Sequence, residues 1–482
     1  MEISNEDFKK LIYQATDMIT DWYDKKLRGS KIYNNKSPAE IRETFKIKSK
    51  NKGTKAHEVI KKLEKNLIDS SNFNPSPNYY GYITGGGNQI GIIAEYIKAA
   101  LNQNNLKWHS APANSEIEKI VIEWISEFIG YNQKCGGVLV SGGSVANLMN
   151  IAVMRKVKGG KKIKEKGIYK EKVMRVYVSE EGHSSIDKAM DILGLGSENL
   201  VKVKRDKNFK IQINELEKEI NHDIKSGLKP IGVIGIAGTT NTGSVDPMDE
   251  IEKVCKKFDL WFMVDAAYGG PAAGLKEYKS LFKGMEKADS ILLNPHKWMF
   301  VPFEVACVLV KNQQQLKNTF SLIPEYLMGG ADIDEREDLM NYSIQLSKDF
   351  KALKVWMTIE VYGHSVISKA IRNDIEMALY AYEKIKNNDL FKALHKPELS
   401  IFCFKYISKF KNVSDDILNK KIIEEIEKDG RVFLSGTVID KENVLRINCI
   451  NHRRNKKDID FLIRVLEEIG SKVEDKLGNL SV

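Results

Sequence analysis

The sequence predicts an α/β protein in which a mainly parallel sheet, covered by helices on both faces, is followed by a smaller α/β domain. Three observations carry that expectation. Short apolar runs recur at 137–140, 176–179, 201–203, 231–237, 261–264, 291–293 and 305–310, and helical patterns such as 184–193 and 247–258 stand between them. Strands alternating with helices are what crossovers between parallel strands require. Further apolar runs at 399–406 and 444–450 continue the alternation to the C-terminus. Apolar residues make up 42% of the 482, enough for a large core.

Each element has a local reason. Phe8, Leu11, Ile12, Ala15, Met18, Ile19 and Trp22 recur at helical spacing and predict an N-terminal amphipathic helix. Asn72-Phe73-Asn74-Pro75-Ser76-Pro77 is a turn-rich linker. The following NYYGYITGGGNQ is too rich in glycine and aromatics for a plain connection. Residues 90–101 and 115–129 read as helices. The run 137–140 breaks at Ser141-Gly142-Gly143-Ser144 and passes into a helix through Leu148, Ile151 and Ala152. A long helix over 344–362 closes the large domain. The expected organisation is an N-terminal helical segment over 1–84, a large domain over 85–364 and a small α/β domain over 365–482.

Composition bounds the function. The 75 Lys and Arg against 65 Asp and Glu give a net charge of +10, but both signs are spread along the chain, which describes a solvated surface and no phosphate track. The most basic stretch, 155–175, holds a single aromatic, Tyr169, and reads as a solvated helix end and loop, so no nucleic-acid partner is expected. No apolar stretch is long enough for a membrane span, and the first ten residues lack a signal-peptide core. The five cysteines are dispersed, with no C-x-x-C pair and no zinc spacing. A soluble, cytoplasmic protein without a metal is expected.

Three strand-end motifs carry chemistry. Ser141-Gly142-Gly143-Ser144 joins a strand to a helix; glycines let an anion approach the backbone, and the helix start offers free N–H groups. Asp265 ends the run 261–264 in VDAAYGG, either as a carboxylate aimed into a crevice or as the cap of a following helix. Lys297 follows the run 291–293 in NPHKW. A lone lysine is by default solvated, but in a crevice desolvation makes it a nucleophile able to form a Schiff base. Together these suit pyridoxal 5'-phosphate: a cradle for the phosphate, a carboxylate for the pyridine nitrogen and a lysine for the aldehyde.

With NPHKW, VDAAYGG and GHSSIDKA at 182–189, and with Ala111-Pro112-Ala113, Glu116, Glu118, Gly238-Thr239-Thr240, FKALKVW at 350–356, Leu445-Arg446 and Asn451-His452-Arg453, the chain resembles the group II pyridoxal-phosphate decarboxylases. The matching stretches run from about Pro77 to His452. The resemblance implies fold type I, the aspartate-aminotransferase-like fold, and a carboxy-lyase acting on an L-amino acid, with an aromatic substrate expected. It makes Lys297 the Schiff-base lysine, Asp265 the partner of the pyridine nitrogen, and Ala267 and His183 the residues on the two ring faces. His183 has a plainer alternative, a polar cap on the helix 184–193. Gly143 and Ser144 match the phosphate loop, and Thr240, Asn294 and His296 match further cofactor contacts. Tyr82, Ile83 and Thr84 match the substrate wall, where His109 either projects or fills space. Tyr79 and Tyr80 fit core packing at least as well.

The sequence departs from the family in places. Val145 stands where relatives often carry Glu, and Gly85 where animal relatives carry Thr. In amine-forming relatives a mobile loop carries a tyrosine that protonates the intermediate after CO2 leaves. That loop follows Tyr326-Leu327, and the flanking FKALKVW match sets the tyrosine position near Leu339, with Tyr342 three residues on. In the aldehyde synthases phenylalanine replaces this tyrosine and oxygen intercepts the intermediate. The expected product is an amine, with an aromatic aldehyde synthase, favoured by Leu339, as one alternative. An aminotransferase in which Arg446 grips a carboxylate is another, although Arg446 serves equally as loop support. The family is homodimeric, and the same is expected here.

Overall fold

Runs of apolar residues buried on both faces build a seven-stranded sheet: β1 Gly136–Val140, β2 Met174–Ser179, β3 Leu200–Val203, β4 Lys229–Ile236, β5 Trp261–Asp265, β6 Ser290–Leu293 and β7 Ala306–Val310. The computed structural model describes residues 1–29, 31–46, 51–132, 134–160, 162–169, 171–322 and 336–480. They form two units, and the larger, Ile83–Glu376 with Pro397–Ile401, holds this sheet. The order is β1-β7-β6-β5-β4-β2-β3. The β2–β3, β2–β4, β4–β5 and β5–β6 pairs are parallel, and β7 is antiparallel to both neighbours, β6 and β1. Two reversals across β7 return β1 to the common direction. The C-terminal ends of β1, β2, β4, β5 and β6 therefore share one edge, the edge at which open α/β sheets bind ligands.

The core on one side of the sheet joins Val138, Val178, Met263 and Val308 to Met149 and Val153 of the helix Gly143–Met154 and to Ile186 and Met190 of the helix Ser184–Ile192. The basic stretch is less solvated than its composition suggests. Arg155 donates to the Leu193 carbonyl at 2.7 Å, and Ile163 and Met174 are buried in the core.

The helix expected over 344–362 is displaced: it runs Ala352–Lys386 and breaks at Gly363, whose φ is +66°. The segment before it spends its backbone groups elsewhere. Asn105 N–H donates to the Lys348 carbonyl at 2.8 Å, and Lys348 N–H donates to Asn104 Oδ1 at 2.9 Å. Lys348 also forms a fully buried ion pair with Glu118 of the helix Pro112–Phe128, and the same Glu118 oxygen accepts the N–H of Leu139 in β1 at 2.9 Å. Helical periodicity cannot register such a long-range partner.

The smaller unit comprises Met1–Tyr82, Met377–Lys396 and Phe402–Val482. Strands β8 Phe391–Ala393, β9 Ile401–Tyr406, β10 Ser435–Ile439 and β11 Glu442–Asn448 lie in the order β10-β11-β9-β8. Phe402, Phe404, Tyr406, Leu445 and Ile447 pack with Ile422 of the helix Asp415–Asp429 and Leu462 and Leu466 of the helix Lys456–Leu480. The N-terminal residues belong to this unit and add a second cluster to it. Ile32, Phe73 and Tyr79 cluster with Phe433, and Arg454 lies over the Tyr80 ring at 4.0 Å while donating to the carbonyls of Pro77 and Tyr79. Tyr79 and Tyr80 are thus packing residues.

Removing one member of a buried ion pair strands the other, at a cost of about 3–5 kcal/mol, whereas an apolar or neutral replacement of both is far milder. Lys348→Met should lower the urea midpoint accordingly, and Glu118→Gln combined with Lys348→Met should recover much of the loss. Equilibrium unfolding of the single and double variants measures the difference.

Candidate active site

The common edge of the large sheet carries a cavity of about 420 Å³, within the usual range for cofactor sites. Each strand end delivers one wall. Beyond β1, Ser141, Gly142, Gly143, Ser144 and Val145 lead into the helix Gly143–Met154, which adds Asn147 one turn on. Glu181, His183 and Ser185 follow β2; Gly238 and Thr240 follow β4; Asp265 ends β5, with Ala267 and Tyr268 behind it; Asn294, His296 and Lys297 follow β6.

The helix start is built for an anion. Gly142, its cap residue, offers no side chain to the first N–H groups, and a Cβ at Gly142 would meet nothing within 4 Å. The positive end of the helix therefore opens on the cavity. A Cβ at Gly143 would come within 2.9 Å of Asn294 Nδ2, so glycine is needed there for close approach. Asn294 is itself buried, and its Oδ1 has no hydrogen-bond partner among the described residues.

The carboxylate and the amine are held differently. Asp265 is buried; its Oδ1 accepts the Ala267 N–H at 3.1 Å and its Oδ2 accepts Asn147 Nδ2 at 3.1 Å. Lys297 sits in the short helix Pro295–Trp298, whose Asn294 carbonyl accepts the Lys297 N–H at 2.9 Å. Desolvation lowers the pKa of its amine, an effect the Asp265 charge partly opposes, so the free-base nucleophile is more accessible near neutral pH. Gly85 packs directly on this turn: a Cβ there would fall 1.9 Å from the Lys297 carbonyl oxygen. Trp298 stacks on Tyr268 at 5.1 Å and donates to Asp374 at 2.9 Å, fixing the turn from behind.

Both histidines are neutral near pH 7. Burial and the neighbouring Lys297 charge push His296 down to about 3, and its Nδ1 lies 2.7 Å from the Val305 carbonyl. Desolvation lowers His183, which is exposed on the cavity wall. His183 also caps the helix Ser184–Ile192, its Nδ1 accepting the Ser185 N–H at 3.1 Å, so the plainer reading of this residue holds alongside its place at the cavity.

Pyridoxal phosphate fits these residues. An uncapped helix start, a fixed carboxylate, a depressed lysine and an unpartnered amide oxygen are brought together on one cavity, matching an anion, a ring nitrogen, an aldehyde and a hydroxyl. The fold and the donor set define a pyridoxal-phosphate enzyme of fold type I. The model of the pyridoxal-dependent decarboxylase conserved domain matches residues 38–407, and the chain belongs to that family. An aromatic-L-amino-acid decarboxylase from Bacillus atrophaeus is 29% identical, over 98% of this chain and 97% of the relative. An acidic amino acid decarboxylase from Xenopus tropicalis is 30% identical, over 96% and 90%. The crystal structure of Oryza sativa TDC with PLP and tryptamine superposes with a TM-score of 0.93 at 22% identity, covering 98% of this chain and 99% of that one, which speaks for the fold.

The structure brings Gly143, Ser144, His183, Thr240, Asp265, Ala267, Asn294, His296 and Lys297 onto one cavity. Tyr82, Ile83, Thr84 and His109 are not among its walls. Tyr82 is exposed in the smaller unit, Ile83 is buried, Thr84 is half-buried and His109 is exposed. Arg446 is also absent from the walls and donates from β11 to Ser435 Oγ at 3.0 Å. Leu339 is buried in the large core, and Tyr342, equally buried, donates to Glu337 at 3.1 Å. Neither is among the described residues that line the cavity. The stretch after Tyr326-Leu327 lies outside the described residues.

Sequence reasoning passed over Asn147, Glu181, Ser185, Phe303 and Glu304 as cavity walls. A signal existed for Asn147, four residues after Gly143 and so on the same helix face. Ser185 lay inside a quoted motif.

Purified protein should take up pyridoxal phosphate and gain a visible absorption band, and Lys297→Ala should abolish it. Spectrophotometric titration with the cofactor checks both.

Proposed function

We propose that the chain decarboxylates an aromatic L-amino acid to the corresponding amine, acting as a homodimer in the cytoplasm. Family membership supplies the cofactor and the carboxy-lyase chemistry. The aromatic preference rests on one observation: Lys297 is the only lysine or arginine among the described residues lining the cavity, against the carboxylates Glu181, Asp265 and Glu304. His183 and His296 add no charge near neutral pH. A substrate with an acidic side chain would enter without a cationic partner, whereas Ile236, Val145, Tyr268 and Phe303 offer apolar contact.

Pyridoxal phosphate, when bound, supplies the electron-withdrawing ring that takes up the electron pair left as the carboxylate departs. The chain does the rest. Lys297 anchors the cofactor, Asp265 keeps the ring nitrogen protonated, and the start of the helix Gly143–Met154 holds the phosphate.

The amine reading follows the decarboxylase relatives, whereas Leu339, which has no acidic proton, favours the aldehyde synthase. The loop that follows Tyr326-Leu327 has no tyrosine before Tyr342, so the proton comes from Tyr342, another group or water. Holoenzyme given Trp, Tyr, Phe, Glu and Asp in turn should release CO2 and amine in equal amounts from an aromatic substrate, with little peroxide and no keto acid. If the wild type forms peroxide, Leu339→Tyr should lower it. Stoichiometric peroxide from the wild type would instead establish an aldehyde synthase, and turnover confined to Glu or Asp would overturn the aromatic assignment.

The homodimer is supported by the helix Gln89–Leu101, which exposes Ile93, Tyr96, Ile97 and Leu101 at helical spacing along one face. Sedimentation should give twice the 54.7 kDa chain mass, and Ile97→Lys with Leu101→Lys should shift it toward the monomer. The cytoplasmic assignment is supported by five free cysteines and by the lack, among the described residues, of a helix long and apolar enough to cross a membrane. Fractionation of the native cells would test it.

A further inference from the structure

Four side chains on the cavity wall form one hydrogen-bonded chain. Asn147 is fully buried, and its Nδ2 donates to Asp265 Oδ2 at 3.1 Å and to Ser185 Oγ at 3.0 Å. Ser185 Oγ lies 2.8 Å from His183 Nδ1, and the Ser185 backbone N–H reaches the same nitrogen at 3.1 Å.

The direction of every bond follows from what each atom can do. A carboxylate only accepts and an amide nitrogen only donates. Turning the Asn147 amide over would set its oxygen against the Asp265 carboxylate, so the amide has one orientation. Ser185 Oγ accepts from Asn147 and has its own proton to give. The backbone N–H of Ser185 cannot be reversed, so His183 Nδ1 must accept. The imidazole then carries its proton on Nε2, the nitrogen left to the cavity.

We propose that Asn147 and Ser185 are positioning residues that lock His183 as the neutral tautomer protonated at Nε2 and, through the same amide, fix the orientation of Asp265. The charge around the ring agrees. Desolvation disfavours the imidazolium, as do the Lys297 and Lys188 charges, while Asp265 and Asp187 favour it; the net shift is downward. His183 thus offers the bound substrate a hydrogen-bond donor and no positive charge. This consequence rests on the pyridoxal-phosphate reading of the cavity; the tautomer does not.

The test labels histidine alone with 15N and reads the ring nitrogens with and without cofactor, the His183 signals being assigned by their loss in His183→Gln. At neutral pH the cofactor-free wild type should show a pyridine-like Nδ1 and a pyrrole-like Nε2. Ser185→Ala removes the hydroxyl bond to Nδ1 but keeps the backbone N–H, so it should shift the Nδ1 signal, weaken the preference for the Nε2-protonated tautomer and raise the pH at which the ring protonates. Ser185→Thr should restore all three. In the holoenzyme, Asn147→Ala should shift the pH profile of the visible band, and Ser185→Ala should lower kcat about tenfold with little change in cofactor affinity. A protonated Nδ1 in the wild type overturns the proposal, as does a Ser185→Ala protein with unaltered ring signals. Because the first reading needs no cofactor, a failure to bind pyridoxal phosphate would sink the functional reading and leave the tautomer standing.

Discussion

Parallel strands end together, and the site depends on that constraint. Neighbouring strands lie about 4.8 Å apart, so a carboxylate ending β5 and a lysine one short turn beyond β6 become neighbours without any special fold. The antiparallel β7 has a second effect. It separates β6 from β1 by two strand spacings, about 10 Å, yet the helix that follows β1 starts against Asn294, just beyond β6. A ligand held at both would set its negative end at Gly143–Val145 and its electrophile at Lys297.

Electrostatics then narrow what the cavity can do. Burying an ammonium is costly, and burying it beside other cations more so. The two cavity histidines are held neutral, so Lys297 faces carboxylates alone. Desolvation depresses the amine, and the Asp265 charge opposes it only in part. Those carboxylates disfavour a second negative charge from a substrate side chain. Desolvation activates the nucleophile, and the carboxylate-rich wall supports the proposed substrate preference.

Much of this was legible in the sequence because it is local. A strand is a short apolar run, its end is marked by the first Gly, Asp or Asn-Pro, and the motif at that end belongs to the edge. All seven strands of the large sheet, and Gly143, Asp265 and Lys297 beyond their ends, follow from that logic. What escaped was non-local. The helix expected at 344 starts at Ala352 because Lys348 is committed to Glu118, 230 positions away. Leu339 was placed by counting back from a flanking motif, and counting cannot reveal that the residue is packed in a core. Asn147 and Ser185 stand 38 positions apart, and no pattern in either helix announces the bond between them.

Gly85 shows how a departure from a family pattern should be weighed. As a residue type it is a loss, since the threonine of animal relatives carries a hydroxyl. In this structure the residue lies against the Lys297 carbonyl so closely that a Cβ would fall 1.9 Å from the oxygen. No rotamer relieves a clash at Cβ, so a threonine here would force either the 83–87 backbone or the lysine turn to move. The glycine is therefore a backbone requirement of this chain. It lets the Gly-rich segment brace the turn that presents the nucleophile, with the carbonyl of Lys297 as the point of contact. A hydroxyl that relatives supply at this position must, if this chain needs one, come from elsewhere. Thr84, the neighbouring residue, is half-buried with its Oγ1 unpartnered among the described residues.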